Sequence, residues 1–287
     1  MQNLIKINNL SFRYGKKNHV FDSLNIEFKA GNIYGLLGEN GVGKTTLLRL
    51  ISGLLFPVNG NIEVMGNTPG KREPGFLEEI YYLPEVFNSP PITLEEYAKI
   101  NKLFYPKFND EQFRYYVNEL GVDQSKKLSK MSYGQQKKAI IAFALSCNTS
   151  LLLLDEPTNG LDIPSKTVFR RLIAGNIDLN KCFIISTHQV RDLENMIDPI
   201  VILEQNQILL NNSIEDITKH LWFGIRQHKS EHTFYAEDAL GGYNLVERNT
   251  TGEDSKVNIE MLFNSAICNK KLYKEIFINP KSSTDNE

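Results

Sequence analysis

The sequence predicts an α/β fold: a mostly parallel central sheet, an N-terminal antiparallel β subdomain, a helical insertion and a small C-terminal α+β appendage. Short apolar runs at 33–37, 151–154 and 183–186 are separated by helical patterns, as in a parallel sheet buried on both faces. The first thirty residues alternate with period two instead, as half-buried antiparallel strands do. A glycine-rich stretch, Gly38-Glu39-Asn40-Gly41-Val42-Gly43-Lys44-Thr45, joins the first apolar run to a helical pattern.

In order along the chain, Leu4-Ile5-Lys6-Ile7 and Leu24-Asn25-Ile26-Glu27-Phe28 read as strands, separated by turn residues around Gly15 and Asn18. Ile33-Tyr34-Gly35-Leu36-Leu37 reads as a buried strand. Residues 45–52 open a helix carrying Leu47, Leu48 and Leu50, and Gly53 ends it. Between 93 and 130, Leu94, Tyr97, Ile100 and Phe104 recur at three- and four-residue spacing, and Phe113, Tyr116, Val117 and Leu120 repeat the pattern. This predicts an aromatic-rich helical subdomain over about 92–147, closed by a helix that starts at Ser132 and runs through Cys147. A strand at 151–154, a helix at 164–174 and a strand at 183–186 complete a main domain of residues 1–220. From 221 the composition shifts: the only tryptophan, Trp222, a Gly241-Gly242 pair and a polar region over 249–255. Residues 221–287 are expected to form a separate appendage, with 281–287 disordered.

Composition bounds the function. With 287 residues, a net charge of −2 and 41% hydrophobic residues, the chain has an ordinary globular make-up. The near-zero charge argues against nucleic acid as the main partner, since phosphate binding normally leaves a basic excess. Cys147, Cys182 and Cys268 form no CxxC pair; two adjoin apolar runs as small core residues, and the unpaired set suits a reducing cytosol. Met1-Gln2-Asn3-Leu4-Ile5-Lys6 is too polar for a signal peptide. No stretch approaches the ~18 apolar residues that cross a bilayer. Any membrane connection is therefore expected through a partner chain.

Residues 38–45 match GxxxxGK[ST], the P-loop pattern, in the strand-to-helix context that the pattern requires. Small residues let the backbone curl until several N–H groups face phosphate oxygens, and the following helix directs its positive end there. Lys44 then supplies a charge to the β- and γ-phosphates of ATP, and the Thr45 hydroxyl ligates Mg²⁺. Asp155, at the end of the 151–154 run, is the acidic Mg²⁺ partner. Glu156, the next residue, can take a proton from, or orient, the water that attacks the γ-phosphate. His188 follows the 183–186 strand, and strand carboxyl ends gather around the ligand crevice of such sheets.

These motifs, with Ser132-Tyr133-Gly134-Gln135-Gln136 and Gly160-Leu161-Asp162, occur in an order and approximate spacing that resemble the ABC-transporter ATPases over roughly residues 2–215. The resemblance implies a sandwich dimer with two ATP molecules at its interface. Each would touch the P-loop of one protomer (Asn40, Gly41, Gly43, Lys44, Thr45 and Thr46) and the Ser132, Gly134 and Gln135 signature of the other. Asp162 resembles the aspartate that couples the two sites, and Tyr14 the aromatic that stacks on adenine. The chain departs from the family twice. Tyr133 stands where the usual LSGGQ signature has glycine, and Glu85, after Ile80-Tyr81-Tyr82-Leu83-Pro84, stands where the family has glutamine. A carboxylate at 85 can still reach Mg²⁺ through water, while adding negative charge near the phosphates.

Phe104-Tyr105-Pro106-Lys107-Phe108 and Leu128-Ser129-Lys130-Met131 look like bacterial export cassettes that work beside a separate permease. The implied function is an ATP-hydrolysing subunit that drives a multi-helix membrane permease, in export, by closing on a second cassette, itself a copy of this chain. Such a subunit is expected in the cytoplasm, peripheral on the inner face of the membrane. A soluble ABC protein of translation or DNA repair is the alternative; the single P-loop and the lack of an extended heptad run weigh against it. A GTPase or small-molecule kinase would leave 132–135 unexplained, and no NKxD motif is present.

Overall fold

The computed structural model describes residues 3–16 and 18–278, so the expectation for 281–287 lies outside the described residues. The chain opens with two long strands, β1 (Asn3–Tyr14) and β2 (Asn18–Lys29), then β3 (Asn32–Leu37), α1 (Lys44–Ile51) and β4 (Asn59–Val64). A short α2 (Pro74–Leu77) precedes β5 (Ile80–Leu83), and α3 (Leu94–Asn101), α4 (Asp110–Glu119) and α5 (Tyr133–Ser146) form the helical insertion. Next come β6 (Leu151–Asp155), α6 (Ile163–Asn176), β7 (Cys182–Thr187), β8 (Ile200–Glu204) and β9 (Gln207–Asn212). The chain continues through α7 (Ile214–His220), β10 (Leu221–Arg226), β11 (Thr233–Ala239), β12 (Gly242–Arg248), α8 (Ile259–Cys268) and α9 (Lys270–Tyr273).

The central sheet has six strands in the order β5-β6-β7-β3-β8-β9, parallel except for β9, which runs antiparallel to β8. Its five parallel strands are largely apolar because both faces are covered, whereas the edge strand β9 is polar at both ends. Along β6, Leu151 and Leu153 face one buried cluster while Leu152 and Leu154 face the other; along β7, Cys182 and Ile184 alternate likewise with Phe183 and Ile185. One cluster is roofed by α1 and the antiparallel sheet β2-β1-β4. The other is covered by the helical insertion, α6 and the C-terminal elements.

β1 and β2 run longer than the period-two pattern suggests, because bulges carry the pairing through polar interruptions. Register shifts fall between Ile7 and Leu10, where Asn9 takes φ 49 and its N–H donates to Asn25 Oδ1 at 2.9 Å. The strands β4, β8 and β9 add to those expected from the sequence. In the helical insertion the aromatic pattern is core: Phe143 is fully buried, with the rings of Tyr81, Tyr97, Tyr105, Phe108 and Phe113 at centroid distances of 5.2–6.4 Å. Thr93 and Glu96 start α3 as a reciprocal capping box. The elements after 220 add a three-stranded antiparallel sheet, β10-β12-β11. Leu221, Phe223, Val246, Met261 and Leu262 share the apolar cluster of the central sheet. Ion pairs join Arg191 to Glu260 at 2.6 Å and Lys270 to Glu204 at 2.7 Å. Among the described residues no helix is long and apolar enough to cross a membrane.

Candidate functional site

Parallel pairing decides what meets at the strand ends. Leu37 of β3 stands opposite Thr187 of β7, and Ser186 of β7 opposite Asp155 of β6. The loop after β3, the acidic pair after β6 and His188 after β7 therefore emerge side by side. They line one cavity of about 470 Å³. Of the residues singled out from the sequence, Tyr14, Asn40, Gly41, Gly43, Lys44, Thr45, Thr46, Glu85, Asp155, Glu156 and His188 face it. Asn18, His19, Val20 and Asn206 complete the wall.

The P-loop curls as its glycines allow. Gly43 caps α1 at φ +114, and a Cβ there would lie 2.9 Å from the Phe21 ring and from Val20. Lys44 Nζ donates to the carbonyls of Gly38 at 2.7 Å and Glu39 at 3.1 Å, so the ammonium folds over its own loop. Burial lowers the Lys44 pKa, while Glu156, Asp155 and Glu85 oppose the loss of its proton. At the other end of the cavity, the Tyr14 and Thr46 hydroxyls share a hydrogen bond of 3.2 Å, and the Tyr14 ring is propped edge-on by Phe12.

Asp155 is held on three sides. Thr45 Oγ1 donates to its Oδ2 at 2.7 Å, Ser186 Oγ to its Oδ1 at 2.5 Å, and Tyr82 Oη to Oδ2 at 3.4 Å. A hydroxyl and a carboxylate in contact are the hard oxygen donors that suit Mg²⁺, which takes one or two protein ligands and keeps the rest for water and phosphate. These residues fit the ion. Glu156, only 4% exposed, sits at φ 46 in left-handed backbone, held by its N–H donating to Ser186 O at 3.1 Å. Its Oε1 accepts from His188 N–H at 3.0 Å and bonds His188 Nδ1 at 2.8 Å, while Thr187 Oγ1 donates to Oε2 at 3.2 Å. A bond to an ionised carboxylate puts a proton on Nδ1, which leaves Nε2 as the free end of the ring. Glu85 Oε1 accepts from Asn159 Nδ2 at 3.0 Å, and Asn159 Oδ1 accepts from Gln189 at 3.2 Å.

Ser132, Gly134, Gln135 and Asp162 do not line this cavity. Ser132 caps α5, its Oγ accepting from Gln135 N–H at 3.3 Å. The Gln135 amide is committed within its own helical subdomain, accepting from Asp123 N–H at 3.1 Å and donating to Gly121 O at 3.1 Å. A Cβ on Gly134 would meet Gly160 O at 2.5 Å, so this glycine is required by a contact inside the chain. Asp162 caps α6 through Ser165 N–H at 2.8 Å and lies 3.6 Å from Lys138.

Sequence reasoning missed Tyr82, Asn159, Ser186, Thr187 and Gln189. Ser186 and Thr187 carried a legible signal, as hydroxyls closing an apolar run. Tyr82 did not, since nothing in Tyr81-Tyr82 says which ring faces the aromatic core and which hydroxyl reaches Asp155.

Fold and site together define a P-loop nucleotide-binding protein. A family model described as ABC transporter matches residues 21–159. The chain is 35% identical over 216 residues to the bacitracin transport ATP-binding protein BcrA of Bacillus licheniformis, covering 73% of this chain and 69% of that one. It is 30% identical over 226 residues to the molybdate import ATP-binding protein MolC of Haemophilus influenzae, covering 74% and 80%. A solved structure described as the ATP-binding subunit of an ABC transporter superposes with a TM-score of 0.67 at 24% identity, covering 75% of this chain and 91% of that one. This chain belongs to the family of ABC transporter ATP-binding proteins.

Proposed function

We propose that this chain binds MgATP in the cavity and hydrolyses it as the motor subunit of a transporter, acting on a separate multi-helix permease at the inner face of the membrane. What carries the reading is the convergence of Thr45 with Asp155 and of Glu156 with His188 on the wall that also holds Lys44. A cavity of about 470 Å³ is in the range of small-molecule sites.

In this reading Tyr14 stacks on the base, and the N–H groups of 40–46 with Lys44 cradle the phosphates. Thr45 and Asp155 would hold Mg²⁺, with Glu85 contacting it through water; bound there, the ion would supply charge neutralisation at the γ-phosphate. Glu156 orients the attacking water and takes its proton, and His188 keeps that carboxylate aimed while its Nε2 side faces the γ-phosphate. Ser132, Gly134 and Gln135 serve the nucleotide of a second copy of this chain, and Asp162 couples the two sites. Their position away from the cavity of their own protomer supports that division of labour. Export is the proposed direction, on the resemblance of the 104–108 and 128–131 segments to export cassettes.

Magnesium-dependent phosphate release by the purified chain tests the chemistry. Affinity capture of the tagged chain from detergent-solubilised native membranes tests the partner. Recovery of a multi-helix membrane protein in stoichiometric amount supports the transporter reading, and recovery of ribosomes or repair proteins in its place overturns it.

A further inference from the structure

The reaction described above makes no use of a lysine that is fully buried beside the site, Lys137 on α5. Lysine is almost never fully buried unless paired. Yet among the described residues both hydrogen bonds of its ammonium go to neutral oxygens: Glu85 O at 3.0 Å and Tyr133 Oη at 3.4 Å. The rings of Phe87 and Tyr133 lie 5.7 and 5.6 Å from Nζ, and the Tyr133 hydroxyl itself donates to Glu85 O at 2.5 Å. Lys137 and Tyr133 thus grip the backbone of residue 85 from the signature helix of the same chain.

The cavity explains why a charge is needed there. Glu85, Asp155 and Glu156 all face it, and ATP brings further negative charge, while Lys44 is the lysine on its wall. Lys137 reaches the cavity wall through the Glu85 carbonyl at 3.0 Å; burial lowers its pKa to about 8, while Glu85 foremost, then Asp155 and Glu156, oppose the loss of its proton. We propose that Lys137 is a positioning residue of the nucleotide site, the buried countercharge that lets a carboxylate stand at position 85 where the resembling family has neutral glutamine. The two departures from the family pattern, Tyr133 and Glu85, then belong to one unit. Tyr133 fixes the backbone of residue 85, and Lys137 offsets its side-chain charge. This inference rests on the MgATP reading of the cavity.

The test is a charge cycle read as the dissociation constant of ATP at pH 7 in EDTA, where loss of a magnesium ligand cannot contribute. Lys137→Gln keeps a hydrogen-bond donor for Glu85 O and removes the charge; ATP affinity should fall about tenfold. Glu85→Gln keeps the acceptor for Asn159 and should tighten ATP about threefold or more. In the double variant, affinity should return to within about threefold of wild type. A Lys137→Gln protein that binds ATP like wild type overturns the proposal. So does a double variant no better than Lys137→Gln, because a purely structural role at Lys137 is not repaired by neutralising Glu85. If Lys137→Gln does not fold, as read by its melting curve, Glu85→Gln alone decides: unchanged or weaker ATP binding overturns the countercharge. A wild-type chain that binds no ATP overturns the nucleotide reading together with this one.

Discussion

Glu156→Gln separates chemistry from architecture at this site. The substitution keeps the shape of the side chain and removes its charge. In the wild-type protein Oε1 takes the His188 N–H at 3.0 Å and His188 Nδ1 at 2.8 Å, and Oε2 takes the Thr187 hydroxyl at 3.2 Å. Hydrogen bonds to a charged acceptor contribute about 1.5–3 kcal/mol and neutral ones about 0.5–1.5. A glutamine that keeps the two His188 bonds as neutral ones, with the Thr187 hydroxyl turning to accept from its amide, loses about 1–1.5 kcal/mol at each of three bonds, roughly 3–4.5 kcal/mol together. At about 2–4 °C per kcal/mol in large domains, the melting temperature falls by less than about 18 °C and the chain should stay folded at assay temperature. Loss of a general base costs about 10²- to 10⁴-fold in rate, which is about 2.7–5.4 kcal/mol of barrier. Phosphate release at saturating MgATP should fall by that factor. Size-exclusion chromatography with light scattering should show a dimer that accumulates with ATP. Turnover within about threefold of wild type would refute Glu156 as the base, since the smallest effect expected of one is about 10². Loss of nucleotide binding together with a collapsed melting curve would refute that separation, and would make the carboxylate structural.

Thr45→Ala removes both the 2.7 Å bond to Asp155 and a proposed magnesium ligand; the magnesium concentration for half-maximal nucleotide binding should rise about tenfold or more in a titration. Phe143→Ala opens the aromatic core of the helical insertion and should destabilise the chain by about 3–5 kcal/mol in urea or thermal unfolding. Truncation after Leu221 strips Phe223, Val246, Met261 and Leu262 from a cluster shared with the central sheet, so the shortened chain should melt lower or aggregate instead of behaving as a trimmed domain. Burial, then Asp155, pushes Tyr82 up to about 12, and burial does the same for Tyr34. A tyrosine raised in the folded state stabilises fully below its ordinary value of 10.0 and loses that contribution as pH climbs through about 12. Tyr82→Phe should therefore flatten the alkaline limb of the stability–pH curve.

The sequence alone determined whatever is written in local order. GxxxxGK[ST] between an apolar run and a leucine-bearing helix predicts a phosphate loop, because the loop needs small residues at those positions and the helix must follow at once. Apolar runs closed by Asp155-Glu156 and Thr187-His188 predict parallel strands with chemistry at their ends. Ser132 reads as a helix cap because the donors it satisfies are its own near neighbours. Only the tertiary structure decided what depends on two distant segments meeting. The bulge at Asn9 carries β1 through a polar pair because Asn25, on the neighbouring strand, satisfies its N–H. Strand register sets Ser186 against Asp155, and the left-handed turn at Glu156 swings its carboxylate onto His188. Residues 133, 137 and 85 are joined through a backbone carbonyl, which leaves no trace in side-chain identity. Period and motif report on neighbours along the chain, whereas charge balance and orientation in the cavity arise between segments far apart in it.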